Sequence, residues 1–278
     1  MNFSVRRRDL IAILSSALPL SGRANTGQRL VMGIVPQILP SEIFEKWKPL
    51  VNEIGKLAAL DIDIKLYPSI PLFETVFLQG EFDLVYLNPY HAVMARKAQG
   101  YLPMVRDIDQ LEGILVIRAD SAINTLMELD KAKMAFPSPN AFGASLYMRA
   151  LLTEKYKLKY QTTYSQTHSN VYRQVINGTV QAGGGVQATL DLQPENIQKQ
   201  LRIIFKTPKA PSHPISVHPR VTVAQRTALE KALLGLNATP QGLKLLRAVG
   251  MDSLIRTDFS EYKPLENLRL DQYVVSAA

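Results

Sequence analysis

The chain has 278 residues, 46% of them hydrophobic, no cysteine and a formal net charge of +8. Without cysteine there can be no disulfide, thiolate metal site or cysteine nucleophile, so stability rests on burial. Residues 1–24 carry +3 of the charge, and the remaining +5 is weaker than nucleic-acid binding shows; it suits an anionic solute or simply a solvated basic surface.

In chain order, Met1 to Ala24 reads as a secretory signal: Arg6, Arg7 and Arg8, an apolar stretch from Leu10 to Leu20, then Ser21-Gly22-Arg23-Ala24 as a cleavage site. The apolar stretch is shorter than the about 20 residues that span a bilayer, and no later segment is long and apolar enough to do so. The order Arg7-Arg8-Asp9-Leu10-Ile11 leaves the general secretory and twin-arginine routes both open. The mature chain is therefore expected to be soluble and exported to an aqueous compartment.

Arg29 to Pro36 has strand character. It is followed by Ser41 to Ala59, where Ile43, Trp47, Leu50, Val51, Ile54 and Ala58 share one helical face. The same alternation continues with a strand at 62–68, a helix at 72–79, a strand at 83–87 and a helix at 91–98. A strand-like stretch at 112–118 is expected to carry the chain across to a second series: strand 133–137, helix 143–156, strand 160–165, helix 169–176, strand 180–183 and strand 201–207. The prolines at 208, 211, 214 and 219 predict an extended return segment. Thr222 and Gln225 have capping-box spacing, Thr239-Pro240 opens a further helix, and both helices should rejoin the first lobe.

Alternating strands and helices predict an α/β fold of two lobes, each a mostly parallel sheet flanked by helices, with a ligand cleft between them. The expected division puts 25–118 and 216–278 in lobe 1 and 119–215 in lobe 2. Ligands of such folds sit outside the carboxyl ends of strands, where loops and helix N-termini converge.

The clearest candidate there is Ala135 to Ser145, a strand broken at Pro137 and Pro139 that reopens as a helix near Gly143. First-turn amides and the helix dipole favour an anion, Gly143 and Ala144 permit close approach, and Ser138, Asn140 and Ser145 can add hydrogen bonds. A plain capped turn would leave the same trace. Tyr67 and the run Tyr86-Leu87-Asn88-Pro89-Tyr90-His91 end strands of the other lobe; Asn88 and Tyr90 are taken as ligand contacts and Tyr86 as core. His168 opens a helix at a strand end, where it contacts a ligand or simply caps the helix. Gly184, within Gly183-Gly184-Gly185, reads as a second loop of close approach or a tight turn, with Gln187 following. Of His213 and His218, His213 is expected to face the cleft.

Enzyme signatures are missing. The sequence has no Gly-x-Ser-x-Gly elbow, P-loop, Gly-x-Gly-x-x-Gly or His-Glu-x-x-His, and acidic residues are nearly absent from the expected ligand loops. No catalytic residue, metal or cofactor is expected.

Several segments together resemble the phosphate/phosphite/phosphonate-binding family of ABC transporter periplasmic solute-binding proteins. They are Gly80 to Tyr90, Ala135 to Ser145, His168 to Tyr172 through Asn177-Gly178, Ser212 to Ile215 and Asp258 to Leu265. The resemblance implies a type II periplasmic binding-protein fold, a periplasmic location and capture of a small oxyanion or related polar solute for an ABC permease. A module that docks on a membrane sensor kinase or cyclase is the alternative. Phosphonate-binding members typically carry Ser-Thr-Ser-Gly in the second-lobe loop. Here that place reads Asn140-Ala141-Phe142-Gly143-Ala144-Ser145, with fewer hydroxyls and an apolar face at Phe142. Tyr90 and His168 match an aromatic residue and a histidine that contact ligand in the family. The acidic residue that some members place near Gln181 to recognise an amine is missing, which implies that an aminophosphonate is not the ligand.

Overall fold

The computed structural model describes residues 29–275. The expected signal segment lies outside the described residues, and among them no helix is long and apolar enough to cross a membrane.

The first series is β1 (Leu30–Ile34), α1 (Pro40–Ala58), β2 (Ile62–Lys65), α2 (Ile70–Leu78), β3 (Leu84–Tyr86), α3 (Pro89–Gln99) and β4 (Leu102–Asp107). In α1 the face buried is the one the sequence spacing gave, Ile43 through Ala58 at three- and four-residue steps. Each large apolar side chain buried there contributes about 1.5–3 kcal/mol. The helix stops at Ala59, which takes the left-handed conformation at φ 54° and donates back to the last turn. Asn88 starts α3 by accepting the His91 N–H, and Gly100, at φ 74°, ends it.

The second series is β5 (Gly113–Arg118), β6 (Lys133–Phe136), a helical run over 142–155 called α4, β7 (Gln161–Tyr164), α5 (His168–Ile176), β8 (Ala182–Val186), α6 (Gln187–Asp191), α7 (Glu195–Gln198) and β9 (Leu201–Lys206). The chain returns through β10 (Pro214–Val217), α8 (Val223–Gly235), α9 (Pro240–Ala248), β11 (Leu254–Arg256) and α10 (Phe259–Tyr262), followed by short turns at Lys263–Leu268 and Leu270–Tyr273. Helices α8 and α9 pack on α1, in the first lobe.

Two sheets result, in the orders β11-β4-β10-β3-β1-β2 and β7-β6-β8-β5-β9. Both are mixed. The βα units pair in parallel (β1 with β2 and β3; β6 with β7 and β8), whereas β10 and β11 in one sheet and β5 and β9 in the other run antiparallel to their neighbours. The proline-rich return segment therefore ends in a strand, with Pro214 at its first residue, a place that tolerates the missing N–H.

Pairing also moves the expected lobe boundaries. β5 was expected to close lobe 1, but it is hydrogen-bonded between β8 and β9 in the second sheet. Four of its residues, Ile114 to Ile117, are fully buried there, so the chain has to change lobes before β5 begins. The return likewise precedes β10. The crossing strands meet at Leu111 and Ala210, whose N–H groups donate reciprocally to each other's carbonyls at 2.9 and 3.0 Å.

The core of the first lobe does not end at its own surface. Ala141, Phe142, Ala144, Leu146 and Val186 of the second lobe pack into the same apolar cluster as Trp47, Phe73, Tyr86 and Tyr90. The lobes are closed on one another. Two further clusters fill the two faces of the second sheet.

Candidate functional site

Where the lobes meet, a cavity of about 10 Å³ is lined by Val35, Gln37, Ile70 and Asn88 from the first lobe, Leu111 at the crossing, and Ala141 to Ala144, His168 and Val186 from the second, with His213 at its side. That is room for about one water molecule. The walls are mostly apolar and hold no lysine or arginine.

The start of α4 forms one side of this cavity. The run begins as one wide turn, Phe142–Leu146, in which the amides of Ser145 and Leu146 both donate to the Ala141 carbonyl, at 2.8 and 3.0 Å. The amides of Phe142, Gly143 and Ala144 precede those bonds. Such N–H groups, at the positive end of the helix, attract an anion. Gly143 sits in close quarters: a Cβ would lie 2.6 Å from Leu111 Cδ2 and 3.3 Å from the Gly113 backbone.

The turn is held from the first lobe. Asn88 caps α3 with its side-chain oxygen and donates its amide to the Asn140 carbonyl at 3.1 Å, spanning the cleft. Asn140 donates to Glu74 Oε2 at 2.9 Å. Glu74 Oε1 is in turn 2.7 Å from His91 Nε2, and both residues are buried. Phe142 lies between the near-parallel rings of Tyr90 and Tyr147, at centroid distances of 6.4 and 5.6 Å. The Tyr90 hydroxyl donates to Asp271 at 2.7 Å.

Two buried histidines complete the site. His168 donates its backbone N–H across the cleft to Gln37, and its Nδ1 is 3.0 Å from the Thr189 hydroxyl. His213 stacks on Tyr86 at 5.3 Å and makes no hydrogen bond among the described residues. Burial depresses both rings to a pKa of about 3; for His213 the neighbouring His91 and His168 add to the shift. Both are neutral near pH 7, so the two rings present dipoles rather than charge to the cavity.

Of the residues singled out in the sequence, Asn88, Phe142, Gly143, Ala144, His168 and His213 border the cavity. Tyr90 and Asn140 stand behind Phe142 and the turn. Ser138 is buried with no partner for its hydroxyl among the described residues, and the Ser145 hydroxyl accepts from Arg149 at 3.1 Å. Tyr67 lies elsewhere: it packs edge-on against Phe82, beside Lys65. Gly184 is not in a loop at all. Gly183, Gly184 and Gly185 lie inside β8, where side chains would collide with Val171, with Phe136 and the Ala144 carbonyl, and with Tyr172 respectively. Gln187 faces a wider neighbouring groove of about 610 Å³ and donates to Asp191 at 2.8 Å.

That groove shares Gln37, Leu111, Val186 and His213 with the small cavity. Asp107, Asp109, Glu112, Asp191 and Asp252 line it, against Lys209 and Arg247, and burial raises the Asp107 carboxyl above its ordinary value. The cleft is thus less poor in acids than the expected loops suggested, because its acids come from the end of β4 and the crossing segment after it, from α6 and from the turn before β11. Glu74 was legible as the lone charge in the apolar helix Ile70-Pro71-Leu72-Phe73-Glu74-Thr75-Val76-Phe77-Leu78. Gln37, Ile70 and Leu111 left no comparable signal.

Comparison with known proteins supplies the context. Residues 32–262 match the family model described as ABC transporter, phosphonate, periplasmic substrate-binding protein. A search of curated proteins finds no match. Among solved structures, the chain is similar to a binding-protein component of an ABC phosphonate transporter from Pseudomonas aeruginosa, with a TM-score of 0.77 and 14% identity over 86% of this chain and 84% of that one. It is similar to PhnD1 of Prochlorococcus marinus in complex with methylphosphonate, with a TM-score of 0.78 and 14% identity over 86% and 96% of the two chains. A third, XAC2383 of Xanthomonas citri bound to chloride, gives a TM-score of 0.72 and 16% identity over 88% and 99%. At these identities the likeness is one of fold, the two-lobed type II periplasmic binding-protein architecture.

Proposed function

Because the chain belongs to the family of phosphonate ABC transporter periplasmic substrate-binding proteins, we propose that it closes on a small oxyanion whose oxygens meet the amides of Phe142, Gly143 and Ala144. It is a solute-binding protein and not an enzyme, as the family is. The observation that carries the oxyanion reading is the amide turn itself: helix-start N–H groups at the inter-lobe cavity, with the His168 ring and the Asn88 side chain beside them.

The surroundings narrow the choice of anion. With no cation in the wall, binding relies on helix-end dipoles and neutral donors, which suits one compact anionic head. Phe142, Ile70, Val35 and Leu111 form an apolar wall next to those amides. An oxygen pressed against that wall would lose its hydration without a partner, whereas a methyl group or hydrogen loses little. The proposed ligand is therefore a small phosphonate or phosphite, in preference to phosphate, carried in the periplasm to an ABC permease. A cavity of about 10 Å³ requires the lobes to part for entry and to settle around the ligand.

Isothermal titration with methylphosphonate, phosphite, phosphate and sulfate tests this. Methylphosphonate or phosphite should bind at least tenfold more tightly than phosphate. Equal or tighter phosphate binding would remove the role given to the apolar wall, and no heat with any of the four would remove the oxyanion.

A further inference from the structure

The described chain passes between the lobes three times. Two passages are the crossing strands that meet at Leu111 and Ala210. The third is Leu270 to Val275. Its start is tied to the first lobe, where Asp271 accepts the Tyr90 hydroxyl at 2.7 Å. From Gln272 onward the partners are in the second lobe. The Gln272 amide donates to Glu154, and the Tyr273 carbonyl accepts from Arg149 at 2.9 Å. The Val275 backbone pairs at both ends with one side chain, its N–H donating to Asn140 Oδ1 at 3.0 Å and its carbonyl accepting from Asn140 Nδ2 at 2.8 Å.

These contacts converge on the two flanks of the amide turn. Asn140 immediately precedes it. Arg149, held by Tyr273, donates to the Pro139 carbonyl at 2.8 Å and to the Ser145 hydroxyl at 3.1 Å, one residue beyond the open amides. None of residues 271–275 borders the cavity. Whatever they do to a ligand they do through the turn.

We propose that Asp271 to Val275 is a positioning strap, which holds the amide turn of the second lobe against the first and sets how firmly the cleft stays closed. Opening the lobes breaks these bonds or drags the segment with it. Bonds made only in the closed arrangement raise the closed population, and affinity with it. The effect on ligand rests on the oxyanion reading above; the effect on the turn does not.

The double variant Asp271→Ala, Val275→Pro releases both ends of the strap. Proline removes the Val275 N–H, and Val274, at φ −70° and ψ 133°, already has a backbone that accepts a following proline. Two readouts are expected to move. Amide exchange at Ser145 and Leu146, measured without ligand, should quicken while the buried strands keep wild-type protection. The dissociation constant for methylphosphonate should rise about tenfold, mostly through faster dissociation, as loss of one or two net hydrogen bonds implies. Asp271→Ala alone should move both in the same direction by less, and it serves if the double variant does not fold. Unchanged exchange at Ser145 and Leu146 would overturn the strap, as would exchange that quickens only in step with the whole molecule. If the wild type binds no anion, the oxyanion reading falls, and the exchange measurement still decides the strap.

Discussion

The second lobe carries two glycine-containing segments, Ala141 to Ser145 and Gly183 to Gly185, that press against each other at Ala144 and Gly184. The first opens α4 and borders the inter-lobe cavity. The second is the middle of β8, paired along its length with β5 and packed under α5 and the start of α4. At Gly143 the missing side chain leaves room for the Leu111 side chain at the cavity wall; in β8 the missing side chains leave room for Phe136, Val171 and Tyr172. What a glycine is for depends on what stands where its Cβ would be.

The sharpest way to separate the two is to add that atom. Gly184→Ala puts a methyl group against the Ala144 carbonyl oxygen, a backbone atom that cannot step aside, and against the Phe136 ring. Chemical denaturation should show a loss of about 3 kcal/mol of stability. A variant as stable as wild type would mean that β8 and α4 are not packed as described. Gly143→Ala meets chiefly the flexible end of Leu111, so its folding cost should stay near 1 kcal/mol. Its effect should fall on binding instead. Leu111 borders a cavity with space for about one water, and moving it takes that space. Methylphosphonate affinity should drop about a hundredfold, the worth of one or two hydrogen bonds to a charged group. The two alanines thus exchange roles, and a pair that both unfold or both bind normally would erase the contrast.

Acid sharpens the contrast from the cavity side. His168 and His213 have pKa values of about 3 in the folded protein against 6.5 ordinarily. Each binds its proton more readily once unfolded, so their contribution is fully present above about pH 6.5 and is lost as pH falls toward 3. Each should cost on the order of 1 kcal/mol per pH unit below 6.5. His213→Phe keeps a ring on Tyr86 and removes one titration, so the melting temperature should fall less steeply between pH 6.5 and 5. An unaltered slope would mean that His213 is not buried in the closed cleft.

The sequence disclosed the alternation of strands and helices because burial imposes a period on it: the Ile43 to Ala58 face of α1 is the face found in the core. It disclosed the amide turn because prolines and a glycine punctuate it. Three kinds of information were not in the pattern. β5 reads the same whichever sheet it joins, since a fully buried strand shows a continuous apolar run in either. The glycines of β8 look like a loop until Phe136, Val171 and Tyr172 are brought onto them. The partners of Asn140, at Glu74 and Val275, lie 66 and 135 residues away, and no local spacing encodes a contact at that distance.

Tyr67 lies apart from the cavity. Sequence position placed it beside Tyr90, since each follows a strand of the first lobe. But β2 is the edge strand of its sheet, and of residues 66–70, which leave it, only Ile70 borders the cavity. Its ring accordingly rests on Phe82, 5.9 Å away, with the Lys65 ammonium over its face. Tyr67→Phe keeps that packing and removes only the hydroxyl. Methylphosphonate affinity should change less than twofold, whereas Tyr90→Phe, which loses the bond to Asp271, should weaken it measurably. If the Tyr67 hydroxyl mattered as much as that of Tyr90, the ligand would have to reach the outer edge of the first sheet, beyond the wall formed by Val35, Ile70 and Asn88.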